Sequence, residues 1–277
     1  PMPHVLAPIS PQRQSVLPLP SSHLGQTCVR CIMDTSDPEI TFDSGGVCNH
    51  CHRFISEASQ RLIPAGERDA RLGALVNEIR AAGKDKPYDC VIGVSGGVDS
   101  TYVAWLVKDL GLRPLAVHLD NGWNSELAVA NIEKTLKVLG IDLYTHVIDW
   151  EEFRDLQVSF LKGSTPDGEV PTDHAILALL YQVAATHELR HVVNGMNFAS
   201  ESTLPEKWGY GYFDWRYVKD VHRHFGAAKL KTYPHFSILQ LFYYAFVRRI
   251  RMVSILNYID YDKKQAMRLS TARTPRV

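Results

Sequence analysis

The sequence has no surplus of either charge: 30 Lys and Arg stand against 30 Asp and Glu over 277 residues. A protein that binds nucleic acid through a broad electrostatic field needs a basic excess, so that class is disfavoured. Long apolar runs are also missing. Residues 236–247, the longest such run near the C-terminal end, are followed by Arg248, Arg249 and Arg251 and fall short of the ~20 residues that a membrane helix requires. No membrane partner is expected, and the expected location is the cytoplasm. Residues 1–22, rich in Pro, Ser and Gln, lack a compact apolar stretch behind a basic start, so they read as a disordered tail and not as a signal peptide. Cysteine is scarce, with five residues and none after Cys90. Without a secretory segment a disulfide framework is not expected. What remains, 45% apolar and 22% charged, is ordinary for a globular chain with a substantial core.

Four of the cysteines form two C-x2-C pairs, Cys28/Cys31 and Cys48/Cys51, with sixteen residues between them. Four thiolates at this spacing can converge tetrahedrally, which points to a structural zinc site in a module over residues 23–62. Gly45-Gly46 favours a tight knuckle, and a segment this small buries little without its metal. An iron–sulfur cluster on the same ligands stays open. A c-type haem at Cys48-Asn-His-Cys51-His52 would leave Cys28 and Cys31 unexplained. Cys90 opens a strand and reads as a buried, inert thiol.

A further absence frames the central motif: no lysine lies between Ser95 and Val107. The stretch Val91-Ile92-Gly93-Val94-Ser95-Gly96-Gly97-Val98-Asp99-Ser100 reads as a buried parallel strand, a glycine loop and the approach to a helix over 101–110. Gly96 and Gly97 let the backbone approach an anion, and the free amides and positive end of the helix attract its charge. Ser95 and Ser100 add hydroxyls, and Asp99 offers a carboxylate to Mg²⁺. The lysine's absence excludes the Gly-Lys-Ser/Thr phosphate loop. The Ser-Gly-Gly-x-Asp-Ser form resembles instead the PP-loop of ATP pyrophosphatases. A plain turn joining strand to helix is the alternative.

Periodicity orders the rest. A linker helix lies within 63–86 and the main domain runs over 87–265. Strands are expected at 114–119, 142–148, 191–194 and 252–259, and helices at 125–139, 151–161 and 173–187, the last capped by Thr172. Alternation of strand and helix implies an α/β, doubly wound five-stranded parallel sheet in the order 3-2-1-4-5. Its switch point would set the glycine loop opposite Gly195, Asn197 and Glu201. Glu201 completes a Mg²⁺ site with Asp99 or is a solvated carboxylate. Asp120 and Asn121 contact adenosine or only shape their turn, and Asp173 meets substrate or only favours a helix dipole. The aromatic run 204–217, with Trp208, stacks on substrate or packs. His222 and His224 point to different helix faces and read as surface residues. Residues 266–277 form a basic tail.

Together the cysteine pairs, Ser95 to Ser100, His118-Leu-Asp-Asn-Gly-Trp123, Pro171-Thr-Asp-His174, Asn194-Gly-Met-Asn-Phe-Ala-Ser-Glu201 and Leu256-Asn-Tyr-Ile-Asp-Tyr261 resemble the N-acetyl sugar amidotransferase family. The resemblance implies a PP-loop fold of the adenine nucleotide alpha hydrolase kind. It implies ATP, Mg²⁺ and structural Zn²⁺, and a UDP-linked N-acetyl sugar converted to an acetamidino sugar for surface polysaccharide such as lipopolysaccharide O-antigen. Ammonia would come from a glutaminase with a cyclase-like partner. Nucleotide contacts would fall on Ser95 to Ser100, His118, Asp120, Asn121 and Gly195, and sugar contacts on Asp173, Asn197 and Trp208. Catalysis would rest on Ser95, Asp99 and Glu201. Family members continue into a further basic and aromatic segment past the position of Val277. The rival readings are a tRNA-thiolating PP-loop enzyme, which ordinarily needs a cysteine or cluster near the nucleotide, and a nucleotide-binding scaffold without turnover.

Overall fold

The computed structural model describes residues 25–267 apart from 203, 210 and 265, with backbone only for Ser200 and Glu206. The expected tail at 1–22, positions 268–277 of the basic tail, and Tyr210 lie outside the described residues. The chain divides into two compact units, Pro1–Arg53 and Phe54–Val277.

In the first unit, antiparallel bridges join Thr27 to Asp34 and Phe42 to Cys48. The Asp43 carboxylate accepts from the amides of Gly45 (2.8 Å) and Val47 (2.9 Å) and ties the turn between them. Gly46 sits at φ +80°, where a Cβ would lie 3.0 Å from Val29, so this turn needs glycine. Helix α1 (Asn49–Arg61) starts directly after Cys48 and buries His50 and Cys51 in its first turn.

The second unit holds a five-stranded sheet, β1 (Cys90–Gly93), β2 (Pro114–Asp120), β3 (Asp142–Val147), β4 (His191–Asn194) and β5 (Arg251–Ser254). Their order is β3-β2-β1-β4-β5 and every pairing is parallel. Successive side chains of a strand serve opposite layers. Val91 and Val192 therefore join a cluster with Phe153, Leu156, Phe160 and Leu179. Cys90, Ile92 and Val193 join the other, with Val103, Val107, Ile132 and Leu136. The helices follow. α2 (Arg68–Ala82), α3 (Val98–Asp109) and α4 (Glu126–Leu139) supply one layer, and α5 (Trp150–Lys162), α6 (Val170–Thr186) and α8 (Trp215–Phe225) the other, with short α7 (Phe198–Glu201) and α9 (Ile238–Phe242) in the connections. Leu75, Val76 and Ile79 of α2 are buried in the sheet's core, so the helix expected as a linker is part of this unit's packing.

Local chemistry sets most boundaries. Ser125 and Asp149 cap α4 and α5 by accepting from Ala128 and Glu152, and Gly140 closes α4 in the left-handed conformation. Three expectations are corrected. α6 begins at Val170 with Pro171 in its first turn, so Thr172 lies inside the helix and does not cap it. β5 ends at Ser254, because β4 offers ladder partners only from His191 to Asn194, and the chain continues as a 3₁₀ turn, Ile255–Tyr258. His222 is not a free surface residue: its Nε2 meets Asp155 Oδ2 at 2.9 Å, whereas His224 is exposed.

Two carboxylates of α5 hold the irregular segment after α8. Asp155 accepts from the amides of Ala227 (2.9 Å) and Ala228 (3.0 Å). Glu152, only 7% exposed, accepts from those of Lys231, Thr232 and Tyr233 at 2.8 to 3.2 Å. Removing an acceptor that serves several amides leaves donors without partners, at about 1–3 kcal/mol for a buried group. Glu152→Ala is expected to lower unfolding free energy by about 3 kcal/mol in urea titrations. A loss below about 0.5 kcal/mol, the level of an ordinary surface substitution, would show that the segment holds itself.

Candidate functional site

The chain leaves β1 and β4 toward opposite faces of the sheet, and a cavity of about 630 Å³ opens outside the carboxyl ends of these strands. Its walls are Ser95, Asp99 and Ser100 from the loop after β1, His118 and Asn121 from the end of β2, Thr172 and Asp173 from α6, Gly195 and Glu201 after β4, and Gly209 and Tyr212. Val117, Leu179, Leu180 and Met252 make an apolar floor.

The loop is shaped by one residue above all. Gly96 has φ +74° and its Cβ would fall 2.7 Å from the carbonyl oxygen of Ala128, so no other residue fits without moving α4. Helix α3 starts at Val98, earlier than its pattern suggests, which puts Val98, Asp99 and Ser100 in its first turn. The amides of Gly96 through Ser100 find no acceptor among the described residues. Ser100 Oγ donates to the Gly97 carbonyl and accepts from the Ser95 amide, both at 3.2 Å, and the two seryl oxygens stand 3.2 Å apart. The result is a row of free donors over a helix N-terminus, which is an anion site.

The other candidates divide. His118 is 5% exposed; its Nδ1 donates to the Val94 carbonyl at 2.9 Å, leaving Nε2 as an acceptor 3.4 Å from the Asn124 amide. Asp120 accepts from the Gly122 amide at 3.1 Å and is outside the cavity wall, while Asn121 reaches it. Asn197 is buried and accepts from Ala199 at 2.8 Å, and its own amide donates to Glu201 Oε2 at 3.2 Å. Asn197 thus fixes the loop that carries Glu201. Gly195 packs on Asp99, where a Cβ would sit 3.4 Å from the backbone. Gly96, Gly97, Val98 and Trp208 do not line the cavity. Trp208 is 44% exposed, whereas Trp215 stacks in the core on His174 and Tyr233.

Three features escape a reading of local sequence. Asp99 is held by residues far along the chain: the Tyr261 hydroxyl donates to its Oδ1, and Lys263 Nζ stands 3.2 Å from its Oδ2. His174, fully buried, donates from Nδ1 to the Tyr212 carbonyl at 2.8 Å and so draws Tyr212 to the cavity; burial holds its imidazole below the usual range. Asp173 is the third. Asp173 keeps solvent-accessible surface at the cavity, yet desolvation by the surrounding wall, with Asp167 and Glu169 nearby, raises its carboxyl to about 6. The Pro-Thr-Asp-His run flagged the last two residues but not their geometry.

Asp99, from the loop after β1, and Glu201, from the segment after β4, are hard oxygen donors that both line the cavity. Two carboxylates suit Mg²⁺, which keeps several waters and completes its shell with phosphate oxygens.

In the first unit, the Sγ atoms of Cys28, Cys31, Cys48 and Cys51 lie within 4.8 Å of one another, with Cys28–Cys51 at 3.9 Å and Cys31–Cys48 at 3.7 Å. A tetrahedral site with Zn–S bonds of ~2.3 Å needs sulfurs roughly 3.8 Å apart, so the set fits one such ion and is too compact to span several irons. Burial pushes the Cys28 thiol up, yet the backbone amides of Arg30, Cys31 and Cys48 outweigh it and bring it down to about 6. His50 is turned to Asp37 at 2.6 Å and His52 to Asp43 at 2.8 Å, which leaves neither as a haem ligand. Cys90 is fully buried, and burial pushes its thiol up.

No family model matches the chain. The glutamine-hydrolyzing GMP synthases of two Thermus thermophilus strains are each 28% identical to it over 195 residues, which is 67% of this chain and 34% of theirs. The chain therefore spans about a third of the length of these curated relatives. Among solved structures it is similar to an NMN synthetase from Francisella tularensis, at TM-score 0.37 and 14% identity, covering 76% of this chain and 96% of that one. A tRNA methyltransferase subunit from Methanocaldococcus jannaschii gives TM-score 0.37 and 15% identity over 66% and 75% of the chains. Overlays at these scores carry no argument about function. No described helix is long and apolar enough to cross a membrane.

Two outcomes test this geometry. Cys48→Ser should release the bound metal on purification and leave the first unit open to proteolysis; unchanged metal content would dismiss the thiolate site. Asp173 has a folded-state pKa above its unfolded value of roughly 3.9, so the native state holds the proton more tightly and loses stability as pH rises from about 4 to 6. Asp173→Asn is therefore expected to raise the urea midpoint at about pH 7.5 and leave it unchanged at about pH 3.5. Equal shifts at both pH values would mean that carboxylate repulsion is not the cause.

Proposed function

We propose that the chain is an ATP-dependent amidotransferase that forms AMP and pyrophosphate. It acts, in the cytoplasm, on the acetamido group of a nucleotide-linked N-acetyl sugar destined for surface polysaccharide. The observation that carries this reading is the row of free amides at 96–100, set over the N-terminus of α3 beside a cavity large enough for nucleotide and acceptor. The similarity to glutamine-hydrolyzing GMP synthases supports chemistry in which nitrogen is transferred.

An amide carbon is a poor electrophile and must be activated. The acetamido oxygen attacks the α-phosphorus, a new P–O bond forms, the bond to the bridging oxygen breaks, and pyrophosphate leaves behind an adenylated imidate. Ammonia adds to the imidate carbon, gives up a proton, and expels AMP with the former amide oxygen, so the product is an amidine. The amides of Gly96, Gly97 and Val98 take up the charge that develops on pyrophosphate, and they do so without reorganisation because Gly96 has already set the loop. Ser95 and Ser100 present hydroxyls beside them. Asp99 and Glu201 would hold Mg²⁺, which when bound would supply neutralisation of the departing phosphates.

His118, Asn121 and Gly195 border the nucleotide, and the apolar floor receives the adenine. Asp120 acts through its turn. Asp173, with a carboxyl near 6, accepts the proton that ammonia loses, while Asn197 acts through the loop that carries Glu201 and Trp208 stands outside the cavity. No sulfur nucleophile is required, in keeping with the burial of Cys90. Ammonia arrives from a glutaminase and its cyclase-like partner.

The test is pyrophosphate release from ATP with a panel of UDP-acetamido sugars and ammonium chloride, with tRNA and a sulfur donor run in parallel. Release is expected only when sugar and ammonia are both present, and Asp99→Ala should reduce it at least a hundredfold, on the order of 3 kcal/mol in barrier. Release driven by tRNA, or nucleotide binding with no release under any condition, would overturn the reading.

A further inference from the structure

The cavity wall contains Asp99, Asp167, Asp173 and Glu201 and no lysine or arginine, yet the ligand read for it is a polyanion. The loop itself carries no basic residue: Lys108, at the far end of α3, is the first to follow Ser95. A cation must therefore come from elsewhere in the chain, and Lys263 is the one beside Asp99. It reaches that residue across 164 positions, with Nζ 3.2 Å from Oδ2.

The two contacts on Asp99 are built differently. Tyr261, whose hydroxyl holds Oδ1, is packed: its ring lies 5.6 Å from that of Tyr102, one turn along α3 from Asp99. Burial, followed by the bond to Asp99, pushes its phenol far above the usual range, which keeps it a donor. Lys263 is 65% exposed in its side chain and, among the described residues, bonds to Asp99 alone. An ion pair this open to water is weak and yields to a divalent cation, whereas the packed tyrosine stays.

We infer that Lys263 is an exchangeable counter-ion. It holds Oδ2 of Asp99 until a divalent cation takes that oxygen, and its ammonium then passes to the phosphates of the bound nucleotide. Tyr261 keeps Oδ1 throughout and fixes which oxygen faces the metal. This rests on the reading of the loop as a phosphate site, and not on the sugar or the ammonia.

The experiment follows Mn²⁺ binding by electron paramagnetic resonance in the full chain, first alone and then with an ATP analogue carrying a methylene between the α- and β-phosphates. In Lys263→Met, Mn²⁺ alone is expected to bind about two- to fivefold more tightly, the range of an exposed ion pair removed as a competitor. The Mn²⁺–analogue complex is expected to bind about tenfold more weakly, the range of a lost charge-assisted contact. Lys263→Arg should stay close to wild type in both. Mn²⁺ affinity that is unchanged or weakened in Lys263→Met overturns the competition, and an unweakened analogue overturns the transfer to phosphate. A wild-type chain that binds no analogue overturns the phosphate reading itself, and this inference with it.

Discussion

A parallel sheet covered on both faces has no place for polar chemistry except at its strand ends. Val91 and Ile92 are adjacent and both fully buried, one in each layer, and the same holds for Val192 and Val193. Every candidate group is therefore displaced to the carboxyl edge, where the chain leaves β1 and β4 on opposite sides and cannot fill the gap. The cavity is a consequence of topology before any residue in it is chosen. Its apolar floor is simply the last turn of core, Val117, Leu179 and Leu180.

Within that gap the backbone does what side chains usually do. Gly96 takes a left-handed conformation against Ala128, and the turn it makes leaves five successive amides without an acceptor among the described residues. Such donors are tolerated because the loop is open to water, with Gly97 exposed and Gly96, Val98, Asp99 and Ser100 half-buried. The serine hydroxyls brace the turn internally, with Ser100 tied to Gly97 and Ser95. A loop organised in this way has little conformational entropy left to lose when an anion arrives.

Features that depend on neighbours in sequence were legible. The β-branched strand, the glycine loop, the caps at Ser125 and Asp149, the cysteine pairs and the strand order all follow from spacing and turn chemistry. What the sequence concealed is non-local. The length of β5 is decided by how far β4 runs beside it, and the apolar run through Ile255 and Leu256 carries no mark of where pairing stops. Glu152 looks like a surface residue in an amphipathic helix until three amides from 231–233 close on it. Tyr261 could be seen as part of a motif and Lys263 as one residue near the end of the main domain, but nothing near them names Asp99 as their partner. Trp208 drew notice as one aromatic among many, and it is the carbonyl of Tyr212, tethered by His174, that brings this segment to the cavity.

Charge decides how such a site can work. Two like charges about 5 Å apart cost on the order of 3 kcal/mol at an effective dielectric constant near 20. A helix N-terminus returns about 0.3–1 kcal/mol, and about 2 kcal/mol at most. With four carboxylates on the wall, the N-terminus of α3 and its free amides cannot by themselves hold a triphosphate. The raised carboxyl of Asp173 comes first from desolvation, and Asp167 and Glu169 add the same field sensed by a proton. Under the function proposed above, such a cavity would discriminate against bare anions and admit them as metal complexes, and affinity for nucleotide would be governed by the cation at Asp99. The acidic wall and the anion-binding loop are therefore two halves of one selectivity and not opposing features: the loop supplies geometry, and the carboxylates require that the charge be neutralised before the ligand enters.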